Sequence, residues 1–265
     1  MLFAHLVAIA VLQGITEFLP ISSSGHLILL PQLSGWQDHG LVYDVAAHFG
    51  TLIAVVCYFR SDLWKMASHW ISSLRGGPSN EHSRLAWAVL WATIPVSAIG
   101  LVTHDFIAEN LRSPLLIAGT TIGFGIVLWL TDRFGKRSRA TQALTWQDIA
   151  CVGFAQALAL VPGTSRSGIT ISAALALGFT REAAARFSFL LSIPVIVLAT
   201  GYESLQLIGG QGAIDWFGLS VVTIGAAVSA LLCIAVFLRV LDRVGMLPFV
   251  IYRLALGGVL IALFM

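Results

Sequence analysis

The chain reads as an all-α polytopic membrane protein. It is expected to be an inverted-topology repeat, each half a re-entrant helical hairpin followed by three transmembrane helices. Three observations predict this. Of 265 residues, 57% are hydrophobic and 11% charged, where a soluble domain carries about 25% charged residues. Six apolar stretches are long enough to cross roughly 30 Å of hydrocarbon, and two further apolar regions are broken by polar knots. The basic residues collect on one side of the map these segments draw.

The first half, residues 1–140, opens with a broken pair over 2–34. Leu2–Leu19 is apolar, Pro20–His26 is polar, and the run Leu27–Leu33 is too short to span. Such a pair is a hairpin whose tip lies within the membrane. Three spans follow, at Leu41–Phe59, Leu85–Val102 and Pro114–Leu130. The second half, 141–265, repeats the order. Its hairpin (146–177) comprises Trp146–Val161, the knot Pro162–Gly168 and the short run Ile169–Leu177. Its spans are Ala185–Gly201, Trp216–Leu238 and Pro248–Met265.

The tips resemble each other. Gln13-Gly-Ile-Thr-Glu-Phe-Leu-Pro20-Ile-Ser-Ser-Ser-Gly25 lies against Gln156-Ala-Leu-Ala-Leu-Val-Pro162-Gly-Thr-Ser-Arg-Ser-Gly168, with a one-residue slip before the serines. A hairpin plus three spans leaves the chain on the opposite side, so the second half enters upside down.

Charge fits this map. Opposite the N-terminus fall Arg60, Lys65, Arg75, Arg84, Arg133, Lys136, Arg137, Arg139, Arg181, Arg186, Arg239 and Arg243. On the N-terminal side only Arg112 is basic in the loops, while Glu203 and Asp215 are acidic. The positive-inside rule makes the basic side cytoplasmic, so the first hairpin's mouth faces outward. Ser72–Ser83 and Lys136–Gln142 become cytoplasmic loops. The start, Met1–His5, has no basic region and no cleavage site follows, so no cleaved signal peptide is expected. Cys57, Cys151 and Cys233 are isolated in apolar runs and read as small core residues. Trp64, Trp70, Trp87, Trp146 and Trp216 read as interfacial belts, and Tyr252-Arg253 as a snorkelling pair. There is no P-loop, thiolate spacing or dinucleotide fingerprint, and nothing indicates a nucleic-acid partner.

Arg166 carries the chemistry. A guanidinium at bilayer depth costs roughly 2.5–3.5 kcal/mol on insertion scales and keeps its proton. It needs an anionic partner or a wet cavity, and its planar fork suits a carboxylate or phosphate. Glu17 is the second intramembrane charge, four residues after Gln13 on one helix face. Together they could hold a metal ion, orient a water or bind a hydroxyl; a plain Glu–Arg tie between the hairpins is the blander alternative. Ser22, Ser23, Ser24 and His26 precede the half-helix expected to begin at Leu27. Thr164, Ser165 and Ser167 precede the one expected at Ile169, with Thr170 just inside it. Exposed N–H groups at such helix starts favour anions. Asp44 and His48 share a helix face and read as site wall or ordinary interface.

At these residues the sequence resembles a known family. Gln13-Gly-Ile-Thr-Glu17-Phe-Leu-Pro-Ile-Ser-Ser-Ser-Gly-His26 is similar to the first motif of the undecaprenyl-diphosphate phosphatases, also called bacitracin-resistance proteins. Pro162-Gly-Thr-Ser-Arg166-Ser-Gly-Ile-Thr170 is similar to their second. Phe187–Pro194 and Pro248–Arg253 also fit, and the likeness covers essentially the whole chain. One departure is Gln13, where many members carry Glu.

The resemblance implies hydrolysis of a polyprenyl diphosphate lipid to its monophosphate, recycling the carrier for the cell wall. It implies a divalent cation (Mg or Ca) near Glu17 and Gln13. Arg166 would grip the diphosphate, His26 would be the essential histidine, and Ser23 would be a nucleophile beside the alternatives His26 and water. Gln13, Ser22, Ser24, Thr164, Ser165, Ser167 and Thr170 would line the substrate. The expected location is a bacterial plasma membrane with the site opening outward, and a homodimer is a candidate assembly. The rival reading is a flippase or transporter carrying a polyprenyl phosphate on the same anion site.

Overall fold

A computed structural model describes residues 3–23, 25–27, 30, 35, 40–207 and 215–265. Among them ten α-helices form: α1 (Phe3–Thr16), α2 (Leu41–Tyr58), α3 (Arg60–Leu74), α4 (Glu81–Asn110), α5 (Pro114–Phe134), α6 (Trp146–Ala157), α7 (Arg166–Ala176), α8 (Arg181–Leu207), α9 (Trp216–Val244) and α10 (Leu247–Phe264). No strand forms among the described residues; an isolated bridge pairs Arg139 with Phe179. Six helices, α2, α4, α5, α8, α9 and α10, are long and apolar enough to cross a membrane. The protein is an all-α polytopic membrane protein.

The six spans fall where the apolar stretches lie, and α4 and α8 overrun them at both ends. An apolar window stops at the first polar residue, whereas a helix continues to its cap. For α4 that cap is Asn80, whose Oδ1 accepts from the Ser83 N–H at 2.9 Å while Ser83 Oγ accepts from the Asn80 N–H at 3.0 Å. This reciprocal pairing satisfies two donors the first turn leaves free. α3 is an addition to the sequence reading. It follows α2 after Phe59 alone, buries Met66 and leaves Trp64 77% exposed. Its scattered charges conceal a helix with one short apolar face.

α6 and α7 have 12 and 11 residues. At about 1.5 Å per residue each is some 16–18 Å long, short of the hydrocarbon thickness. They turn back on each other. Arg139, in the linker, donates from Nη1 both to Asp148 Oδ1 at the start of α6 (3.0 Å) and to the Leu177 carbonyl at the end of α7 (2.9 Å). Its backbone N–H and that of Ser138 donate to the Gly178 carbonyl. The linker read as a loop between halves is thus a clasp across the hairpin's open end. In the first hairpin, Ser23, Gly25, His26, Leu27 and Leu30 are helical after the tip; Ser24 and the rest of that arm lie outside the described residues.

α1 packs on α9, and α6 on α4. Small residues allow close approach. A Cβ on Gly14 would stand 2.8 Å from the Ala226 carbonyl of α9, and one on Gly153 would stand 3.0 Å from the Ala92 backbone of α4. Beside the tips runs an aromatic core. Phe18 meets Phe189 edge-on at 5.2 Å, Phe189 meets Phe237 at 5.7 Å, and Phe237 meets Phe249 at 5.3 Å. Phe18 follows Glu17, so this core fixes where the first tip points.

Candidate active site

The two tips share one local conformation. Ser22 has φ 74° and Ser165 has φ 70°, a left-handed backbone that costs a non-glycine residue energy. Each caps the helix after it. Ser22 Oγ accepts from the Gly25 N–H at 3.4 Å, and Ser165 Oγ from the Gly168 N–H at 3.1 Å. The half-helices therefore begin at Ser23 and Arg166, earlier than Leu27 and Ile169. Matching the caps puts Ser23 opposite Arg166, each the first residue of its half-helix.

Glu17 joins the tips. Its Oε1 accepts from Arg166 Nη2 at 3.0 Å. Its Oε2 accepts from Gln13 Nε2 at 2.9 Å and Ser23 Oγ at 3.0 Å, and His48 Nε2 lies 3.8 Å away. Arg166 uses its other arm, donating from Nη1 to the Ser188 carbonyl at 3.0 Å. The Glu17 and Arg166 side chains are 8% and 12% exposed. In so little solvent neither charge is stable alone, and together they satisfy the pairing that intramembrane charges require. A carboxylate holding a hydroxyl on one oxygen can activate that hydroxyl, and the guanidinium on its other oxygen can bind a phosphate.

The other expected residues are placed as follows. Ser167 Oγ donates to the Leu19 carbonyl at 2.9 Å, tying the second tip to the first. Thr170 Oγ1 lies 2.7 Å from Ser188 Oγ and donates to the Arg166 carbonyl at 2.8 Å. The Thr164 hydroxyl is buried without a partner among the described residues. Ser24 lies outside the described residues. His26 has two partners: its Nδ1 lies 2.7 Å from the Ser22 carbonyl, and its Nε2 is hydrogen-bonded to the Tyr252 hydroxyl.

Sequence reasoning missed the part played by α10. Arg253 does not snorkel; it is 0% exposed. It donates to the carbonyls of Thr121 (3.0 Å), Pro20 (3.2 Å), Gly163 (3.0 Å) and Thr164 (3.0 Å), so one guanidinium grips both tips. The available signal was the one that singled out Arg166: a lone Arg inside an apolar helix needs a polar partner. Nearness to the segment's end concealed it.

Among the described residues no three His, Cys, Asp or Glu side chains gather as a metal cluster. The oxygens at Glu17 nonetheless fit a hard divalent cation. Among the described residues Gln13 Oε1 is buried with no partner, beside the Glu17 carboxylate to which its own Nε2 donates. An oxygen-rich set of this kind suits Mg²⁺ or Ca²⁺ better than softer metals.

Comparison with known proteins gives concordant results. The family described as bacitracin resistance protein BacA matches residues 6–259. An undecaprenyl-diphosphatase of Nitrosococcus oceani is 55% identical over 262 residues, covering 99% of both chains. Undecaprenyl-diphosphatase 2 of Stutzerimonas stutzeri is 55% identical over 98% of this chain and 97% of its own. An undecaprenyl-diphosphatase of Thioalkalivibrio sulfidiphilus is 54% identical over 99% of both.

Proposed function

From the chain's membership, for it belongs to the bacitracin resistance protein BacA family, we infer that it is an undecaprenyl-diphosphatase. It consumes one water and cleaves the P–O–P bridge of undecaprenyl diphosphate, giving undecaprenyl phosphate and inorganic phosphate. That returns the lipid carrier to cell-wall synthesis and confers resistance to bacitracin. The observation that carries the reading is Glu17 holding Ser23 and Arg166, residues of two different tips, on its two oxygens.

Phosphoryl transfer needs charge neutralisation and in-line positioning more than covalent chemistry. Arg166 supplies a fork for the diphosphate, and the N–H groups starting at Ser23 and Arg166 supply further donors. Glu17 is placed to take a proton from Ser23 Oγ or from a water in its position. A Ser23 attack on the terminal phosphorus gives a phospho-serine that water then hydrolyses; direct water attack gives the same products in one step. A divalent cation would be held by Glu17 and Gln13, and its chemistry would be to neutralise phosphate oxygens. Gln13 would contribute its amide oxygen.

The same reading makes the halves an inverted repeat, with the hairpins re-entrant and the site open to the outer face of the bacterial plasma membrane. Support comes from the reciprocal packing of α1 on α9 and α6 on α4 and from the basic residues at one end. Phosphate release is the test. Purified protein in detergent should liberate inorganic phosphate from a long isoprenoid diphosphate in the presence of Mg²⁺ or Ca²⁺. Binding without cleavage would overturn the hydrolase reading in favour of a flippase.

A further inference from the structure

We propose that Tyr252 is a positioning residue of this phosphatase, holding the His26 imidazole in one tautomer and one orientation. The proposal rests on the hydrolase reading above. It begins with His26 Nδ1, 2.7 Å from the Ser22 carbonyl. A carbonyl oxygen only accepts, so Nδ1 carries a hydrogen and Nε2 is the atom left to exchange protons. The partner of Nε2 is the Tyr252 hydroxyl. The two rings are stacked, their planes within 10° of parallel and their centroids 5.6 Å apart. The stacked phenol ring restricts rotation of the imidazole while its hydroxyl holds Nε2.

Both ends of the arrangement are anchored. Ser22 is the strained cap of the first half-helix, so the carbonyl that fixes Nδ1 is itself fixed. Tyr252 is neighbour to Arg253, whose four bonds to carbonyls set the position of α10 on both tips. Space for that guanidinium is left by two glycines. A Cβ on Gly168 would stand 3.0 Å from Arg253 Nη1, and one on Gly125 would stand 3.2 Å from Arg253 Cβ. Tyr252 itself is 42% exposed, so packing does not demand its hydroxyl. The hydroxyl's role is toward His26.

Tyr252→Phe removes the hydroxyl and keeps the ring. In the phosphate-release assay kcat should fall at least fivefold, with KM within twofold of the parent and the thermal midpoint in detergent unchanged. A positioned acid or base contributes about 10²–10⁴-fold, and a misoriented one loses part of that. Arg253→Lys, which loosens the tips as a whole, should instead lower kcat and the thermal midpoint together. A smaller fall in kcat for Tyr252→Phe would overturn the proposal, as would a loss shared by KM or by the midpoint. If the parent protein releases no phosphate, the hydrolase reading itself fails, which is a separate result.

Discussion

Replacing Arg166 by Lys keeps the positive charge and removes the fork. The two arms of the guanidinium have different acceptors, Glu17 Oε1 at 3.0 Å and the Ser188 carbonyl at 3.0 Å. A single ammonium on a flexible stem cannot hold both in that geometry or offer two parallel donors to a phosphate. Hydrogen bonds to charged groups are worth about 1.5–3 kcal/mol each. Losing one in the transition state therefore lowers turnover about a hundredfold, roughly 2.7 kcal/mol. The assay is phosphate release under single-turnover conditions, with insertion and folding checked by thermal melting. A structural tie between hairpins would give a different pattern. Breaking a buried pair on one side strands the other charge, at about 3–5 kcal/mol, whereas replacing both partners by neutral residues can be close to neutral. Arg166→Met with Glu17→Gln should therefore melt nearer the parent than either single variant does, and still release no phosphate. Near-normal turnover in Arg166→Lys, or activity in the double variant, would refute the clamp.

Two further outcomes test the topology and the clasp. In a background with Cys57, Cys151 and Cys233 replaced by Ala, single cysteines at Ser79 and Ser138 should be shielded from an impermeant thiol reagent in intact cells. One at Ser113 should be labelled, and outside labelling of Ser138 would break the inverted repeat. At the clasp, burial alone raises the Asp148 pKa, but the hydrogen bonds from Arg139 and from the Thr145 backbone and hydroxyl outweigh it and hold the carboxyl below the ordinary range. A depressed carboxyl stabilises the fold above its unfolded pKa of about 3.9 and loses that contribution as pH falls through the folded value. Thermal midpoints should thus drop on acidification below about pH 4. Asp148→Asn should lower the midpoint at pH 7 and flatten that acid limb; an unchanged limb would remove Asp148 from the account.

The spans and the meeting of Glu17 with Arg166 were legible because each follows from one strong constraint. A long apolar run has few alternatives to a helix, and two opposite charges in an apolar setting must find each other. The rest depended on three-dimensional facts with no local trace. His26 and Tyr252 are 226 residues apart, and nothing in either segment names the other. The half-helices were expected at Leu27 and Ile169 because apolar runs begin there, yet a helix begins where a cap can bind its third N–H. Here that places the caps at Ser22 and Ser165.

Arg253 shows why the remaining step needed the fold. Each tip interrupts a helix and leaves carbonyls without helical partners, among them those of Pro20, Gly163 and Thr164. Away from water an unsatisfied backbone group costs several kcal/mol, so two tips meeting in one place concentrate that cost. A guanidinium has five N–H donors in a fixed plane, and Arg253 makes four hydrogen bonds to carbonyls, three of them on the tips. The orphaned carbonyls stabilise its charge in place of a carboxylate, and its donors satisfy them in return. The broken helices and the buried cation are thus one solution to two problems. The same helix that supplies Arg253 sets Tyr252 against His26, so one element both joins the tips and meets the imidazole.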